Sequence, residues 1–320
     1  MMEMNQRRDE RRFAIRIGRV AAWGVLAVVT GLLVRAEGPR PETELPAGVS
    51  VRRDLVYRRG ERAARLDLYV AAAPAPRGGR PAVVAIHGGG WRGGSKSDYG
   101  PQFARLAAHG YVVAAVDYRL SRPGEPSWPA NFEDVREAVR WLRRHAAEYG
   151  VDPNRIAALG ASAGGHLAAL LGTVPDAAPE GPDSARVGAV IDFYGPSDLT
   201  ALDAESPRAG KSLGLFLGGR PDECPERYEA ASPARHVSAG DPPMLLFHGA
   251  DDRLVPPDQS RRLAEALRQA GVAHRLIVVP GARHGFGLAT EDRDFLPEIL
   301  AFLESAWNAS PGIRPSGKNR

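Results

Sequence analysis

The sequence predicts an α/β protein: a mostly parallel, eight-stranded sheet with helices on both faces and a small cap insertion. Three observations lead there. Short apolar runs rich in Val, Ile and Leu recur along the chain, as suits strands buried on both faces of a parallel sheet. Segments of helical period alternate with them, which lays helices over the sheet. Two of the runs open into glycine-rich turns, at residues 87–90 and 160–165, and the carboxyl ends of strands are where such sheets bind ligands.

The chain begins with a segment read as export machinery. Arg7, Arg8, Arg11, Arg12, Arg16 and Arg19 precede an apolar run over residues 20–34, the order that a secretion pathway recognises. A membrane-spanning helix needs roughly 17 to 25 apolar residues, which this run reaches only by recruiting Phe13 onward despite Arg16 and Arg19. Val34 and Ala36 occupy the positions a signal peptidase inspects, so cleavage after Ala36 is expected; an uncleaved anchor with its arginines inside is the alternative. Both readings put the body outside the cytoplasm, periplasmic or secreted. Residues 1–44 are therefore leader or anchor plus a Pro-rich linker, 45–309 one folded domain, and 310–320 a flexible tail.

Within the domain, residues 55–57 and 66–70 read as a hairpin at a sheet edge, turned at Arg59-Gly60. Buried strands are expected at 82–86, 112–116, 156–159, 187–193, 244–247 and 276–279. A helix over 132–149 puts Phe132, Val135, Val139, Leu142 and Ala146 on one face, with Asn131 as its cap and Gly150 as its end. Another spans 263–270 and closes at Gly271. Residues 196–241, rich in Pro, Gly and Ser, are too long for a simple connection and are read as the cap.

Charge narrows the function. The net charge is +4, but residues 1–40 carry eight Arg against four acids, and the tail adds Arg314, Lys318 and Arg320. By subtraction residues 41–304 stand at about −3, so the body lacks the basic face that nucleic-acid binding needs. Cys224 is the one cysteine, which excludes an intramolecular disulfide.

The chemistry lies in three places. Strand 156–159 runs into Gly160-Ala161-Ser162-Ala163-Gly164, a G-x-S-x-G in strand-turn-helix context, where a sharp turn exposes a strained serine hydroxyl. Strand 82–86 ends in His87-Gly88-Gly89-Gly90-Trp91, whose bare backbone lets an oxyanion approach. The amides of Gly89, Gly90 and Ala163 are expected to hold it. A serine hydroxyl hardly ionises at neutral pH and needs an imidazole to take its proton and an acid to orient that imidazole. Of eight histidines, His284 in the glycine-rich loop after the last strand is positioned to be the base. His109 and His145 sit late in helices, His87 and His248 shape loops, His166 lies behind the nucleophile, and His236 and His274 are in polar surroundings. For the acid, Asp251 and Asp252 compete in the loop after strand 244–247. Trp91, Tyr118 and Trp128 near the mouth could stack on sugar rings or simply pack.

Together HGGGW, DYRLS (117–121), the 152–172 segment around GASAGG, HGADDRLVP (248–256) and PGARHGF (280–286) resemble the α/β-hydrolase fold family related to hormone-sensitive lipase, above all the bacterial BD-FAE-type carbohydrate or feruloyl esterases. The resemblance spans about residues 50 to 305. It implies a serine esterase with the triad Ser162, Asp252 and His284, since the family's acid is the fifth residue of HGxxDxxVP. It implies short acyl, acetyl or feruloyl esters as substrates and neither metal nor organic cofactor. Ala161 departs from the bulkier or acidic residue of many relatives, so pocket shape does not transfer. Two rival readings stand beside it: a prolyl-oligopeptidase-like peptidase, and a non-catalytic module on a hydrolase fold.

Overall fold

A computed structural model describes residues 45–309, apart from 61 and 179. The expected leader, cleavage site or anchor and the tail after 309 lie outside the described residues. Among the described residues no helix is long and apolar enough to cross a membrane.

The hairpin at the edge is β1 (Val49–Arg58) and β2 (Ala64–Ala71), antiparallel to each other; β2 is also antiparallel to β4 (Val112–Val116). Beyond them β3 (Arg80–Ile86), β5 (Val151–Ala161), β6 (Ala189–Phe193), β7 (Met244–Gly249) and β8 (His274–Val279) run parallel with β4. The order across the sheet is β1-β2-β4-β3-β5-β6-β7-β8. Each apolar run foreseen in the sequence lies within or overlaps one of these strands.

Both faces of the sheet are covered. Val84 and Ile86 of β3 join one core with α2 (Ala130–Arg144), α4 (Ala163–Thr173) and α8 (Asp258–Gln269), while Val83 and Ala85 join the other with α1 (Lys96–Ala108) and α9 (Leu296–Ala309). That alternation is the period-2 pleat at work. The expected cap folds as α5 (Leu199–Glu205), α6 (Pro207–Leu217), α7 (Pro225–Ala230) and a 3-10 turn at Pro233–Arg235.

Two expectations are corrected. The helix over 132–149 is two helices, α2 and α3 (Ala146–Tyr149), broken at His145. There the imidazole Nδ1 donates to the Trp141 carbonyl at 2.8 Å, competing with the backbone amide for it, and the ring stacks on Trp141 at 4.3 Å. Asn131 is not the cap: the helix starts two residues earlier, at Ala130 after Pro129, and Asn131 lies fully buried inside it, accepting from the Phe132 amide. Gly150 does end the run, in the left-handed conformation at φ 64°.

The topology positions the chemistry. Strand order reverses around β3, whose neighbours are β4 and β5, and there the crevice between loops opens. Ile86, the last residue of β3, pairs with Gly160 of β5, so the HGGGW loop and the serine turn leave the sheet side by side. Asp134 of α2 fastens the adjoining loop: its buried carboxylate accepts from Arg119 Nη2 at 2.7 Å and Nε at 2.8 Å and pairs with Arg58 at 2.6 Å. Removing one partner of such a pair strands the others, so Asp134→Ala is expected to lower unfolding free energy by about 3 kcal/mol in urea titration. A loss below about 1 kcal/mol, the range of an exposed pair, would contradict that role.

Candidate active site

Ser162 sits between β5 and α4 with φ 55° and ψ −121°. A non-glycine residue held at positive φ costs on the order of 1–3 kcal/mol and persists only where its surroundings fix it. Here the Ser162 amide donates to the Phe193 carbonyl at 2.8 Å, and its own carbonyl accepts from His166 at 2.9 Å. The turn is so tight that a Cβ on Gly164 would overlap the Ile86 carbonyl.

The three triad candidates meet. His284 Nε2 lies 2.9 Å from Ser162 Oγ, and its Nδ1 lies 2.6 Å from Asp252 Oδ2. Because a carboxylate accepts, Nδ1 carries the hydrogen, which leaves the Nε2 lone pair facing the hydroxyl. Asp252 is buried, and Oδ1 accepts the amides of Leu254 and Val255, each at 2.9 Å. Burial pushes this carboxyl up, but hydrogen bonds from His248 and His284 outweigh that and hold it well below the usual carboxylate range. Asp251, the competitor, is exposed, with its amide bonded to the Ala282 carbonyl.

Neighbouring strands explain the convergence. Ala161 pairs with Phe193 and Phe193 with Phe247, so the loops after β5, β6 and β7 emerge in sequence at one rim. Strand spacing sets Ser162 about 10 Å from the end of β7, a gap that the loop after β8 crosses with His284. Backbone bonds from Ala250 to the Val279 carbonyl and from Asp251 to the Ala282 carbonyl tie that loop to the acid's turn.

On the other flank, Gly88 stands so near that a Cβ there would be 3.4 Å from Ser162 Cβ. Gly89 has φ 109°, and among the described residues no acceptor engages the amides of Gly89 or Gly90. Ala163 is the first residue of α4, whose first-turn amides have no acceptor within the helix. The three expected donors thus lie on the two turns that flank the hydroxyl.

Several supporting contacts escaped the sequence reading. Trp91, held at φ 58°, stacks on Phe216 of α6 at 4.4 Å and donates Nε1–H to His166 Nδ1 at 3.2 Å. His166 in turn donates Nε2–H to the Ala231 carbonyl at 2.6 Å, and burial pulls its pKa down to about 4, so the ring is neutral and joins glycine loop, α4 and cap. Trp91 and Tyr118 are buried packing residues, the latter stacked on His87 at 4.2 Å, so neither offers a face to a sugar. Trp128 is half-buried against Phe132 and Phe216. Tyr194, at φ 45°, lays its ring 4.7 Å from the His284 imidazole and donates its hydroxyl to the Phe286 carbonyl. The legible signal for His166 was its place just after GASAGG. His87 donates Nδ1–H to its neighbour Gly88, and His109 and His274 likewise bond nearby carbonyls.

Under the Ser162 turn lies Asp192 of β6, fully buried, with Oδ1 accepting the Gly195 amide at 2.8 Å and Oδ2 without a partner among the described residues. Burial raises its pKa from 3.8 to about 7. The folded protein therefore binds this proton more tightly than the unfolded chain, and stability falls as pH rises from about 4 to about 7. Asp192→Asn, which cannot ionise, is expected to lose less melting temperature than the wild type across that window. Parallel Tm curves would contradict the assignment.

A family model, BD-FAE, matches residues 66–267. The probable carboxylic ester hydrolase LipM of Mycobacterium tuberculosis is 33% identical over 279 residues, covering 81% of this chain and 64% of that protein. Esterase LipQ of the same organism is 34% identical, covering 82% and 63%. The chain thus spans under two thirds of the length of these curated relatives. Among solved structures, a thermophilic esterase from Thermogutta terrifontis matches with TM-score 0.65 and 34% identity, over 87% of this chain and 97% of that one. A truncated carbohydrate esterase from gut microbiota matches with TM-score 0.68 and 26% identity, over 85% and 100%.

Proposed function

This chain belongs to the BD-FAE family, and on that premise we propose that it is an exported serine esterase that hydrolyses short acyl or carbohydrate esters through an acyl-serine intermediate. The observation that carries the proposal is the continuous path from Ser162 Oγ through His284 to Asp252, with hydrogen bonds of 2.9 and 2.6 Å.

Ser162 Oγ attacks the ester carbonyl as His284 Nε2 takes its proton. The charge that develops on the carbonyl oxygen is met by the amides of Gly89, Gly90 and Ala163, fixed before reaction by the turns that carry them. Asp252, ionised across the neutral range, stabilises the imidazolium and keeps Nδ1 protonated. His284 then gives its proton to the departing alcohol oxygen. A water, deprotonated by the same imidazole, attacks the acyl-serine and releases the acid. The carbohydrate alcohol is supported by the family and by the carbohydrate esterase among the structural relatives.

Replacing Ser162 with Ala is expected to cut turnover of p-nitrophenyl acetate by at least about 10⁴-fold in a folded protein. The wild type is expected to release acetate or ferulate from acylated xylan fragments and to leave proline-containing amides uncut. Retained turnover in the Ala variant would overturn the mechanism, and preferential cleavage of the amides would favour a peptidase.

Export rests on the arginine-then-apolar order of residues 7–34. N-terminal sequencing of the protein recovered outside the cytoplasm is expected to begin at Glu37. Recovery of the full chain in the membrane fraction would support the anchor instead, and activity confined to the cytoplasm would overturn export.

A further inference from the structure

His248 is the last residue but one of β7, four before Asp252, and it is fully buried. Its Nδ1 lies 2.6 Å from Ser260 Oγ, in the first turn of α8, and its Nε2 lies 2.8 Å from the Val255 carbonyl. A carbonyl only accepts, so Nε2 carries the hydrogen; in the neutral ring Nδ1 is then bare and accepts the Ser260 hydroxyl. The same Nε2–H stands 3.4 Å from Asp252 Oδ2, the oxygen that takes the His284 hydrogen at 2.6 Å. Two imidazoles therefore flank one carboxylate oxygen, His284 bonded to it and His248, whose hydrogen goes chiefly to the Val255 carbonyl, standing close behind.

We propose that His248 is a positioning residue of the triad, a second imidazole whose Nε2–H, set in its tautomer by Ser260 and Val255, aims Asp252 Oδ2 at His284 and tempers its charge. The inference rests on the serine-esterase reading above. Oδ1 is already held by two backbone amides, so the setting of Oδ2 falls to the two imidazoles. The charged groups facing His248 are Asp252 from its own loop and Asp192 from β6; Ser260 of α8 and the Tyr194 ring, 6.5 Å away, are its neutral neighbours. Without the His248 hydrogen, Oδ2 would turn its full charge on His284 and make that imidazole more basic. The acid limb of the pH–rate profile would then move to higher pH.

The test compares His248→Asn, which keeps a polar group towards Ser260 but falls short of Asp252, with His248→Gln, whose amide nitrogen reaches the place of Nε2. With p-nitrophenyl acetate, the Asn variant is expected to lose about 10-fold in kcat, far less than the roughly 10⁴-fold cost of a disabled triad acid. KM should stay within about twofold, because His248 touches no substrate, and the acid limb should rise. The Gln variant should recover most of the rate and the wild-type limb. An Asn variant with wild-type kcat and limb overturns the proposal, and so do two equally slow variants with an unmoved limb, the pattern of lost packing. Should neither fold, the ¹⁵N shifts of the His248 ring in the wild type decide: a hydrogen on Nε2 with Nδ1 bare is expected, and a hydrogen on Nδ1 overturns the proposal. A wild type that no fluorophosphonate labels is a separate result, which fails the esterase reading and takes this inference with it.

Discussion

Asp252 is withdrawn from water at the end of β7, and a carboxylate survives there as an anion only because donors surround it: two backbone amides on Oδ1 and the His284 imidazole on Oδ2, with His248 3.4 Å behind. That satisfied charge orders the rest of the site. It keeps the His284 hydrogen on Nδ1, and a hydrogen on Nδ1 is what leaves Nε2 open towards Ser162 Oγ. An uncharged residue at 252 would hold the ring in place less well and could present the wrong tautomer.

The scaffold accepts strain around this charge. Among the described residues the non-glycine positions with positive φ are Asp54, Trp91, Ser162 and Tyr194, and the last three ring the site. Each is fixed by contacts that a relaxed backbone would lose: Ser162 by the Phe193 carbonyl, Trp91 by Phe216 and His166, Tyr194 by the Phe247 and Phe286 carbonyls. Local strain is tolerable because the strands behind these turns are buried on both faces and tied in parallel register. The cap takes part as well, since Phe216 and Ala231 brace the glycine loop through Trp91 and His166.

Much of this was legible in the residues. Apolar runs without alternation marked the buried strands, because a strand with helices on both sides has no polar face to betray a period. Gly160, Gly164 and the glycines after His87 announced backbone crowding that other side chains could not tolerate. Asp252 was legible only through family spacing; its neighbour Asp251 has the same chemistry, and only the fold buries one and exposes the other. What stayed hidden depended on contacts distant in sequence or on competition within a turn. The break at His145 came from an imidazole bidding for the Trp141 carbonyl, which helical periodicity does not register. Asn131 looked like a cap by residue type, yet the helix starts before it. Trp91 and Tyr118 were aromatic residues near the mouth, and their burial against Phe216 and His87 is a tertiary fact.

The proposed reaction depends on one hydroxyl, that of Ser162, 2.9 Å from His284 Nε2. Peptide mapping by mass spectrometry after brief exposure to a fluorophosphonate reads that property at the atom concerned, independently of any substrate choice. A single phosphonyl group on the peptide carrying Ser162, with labelling slowed in Asp252→Asn, is the expected result. An unmodified Ser162 in folded protein, or modification at another serine, would contradict it.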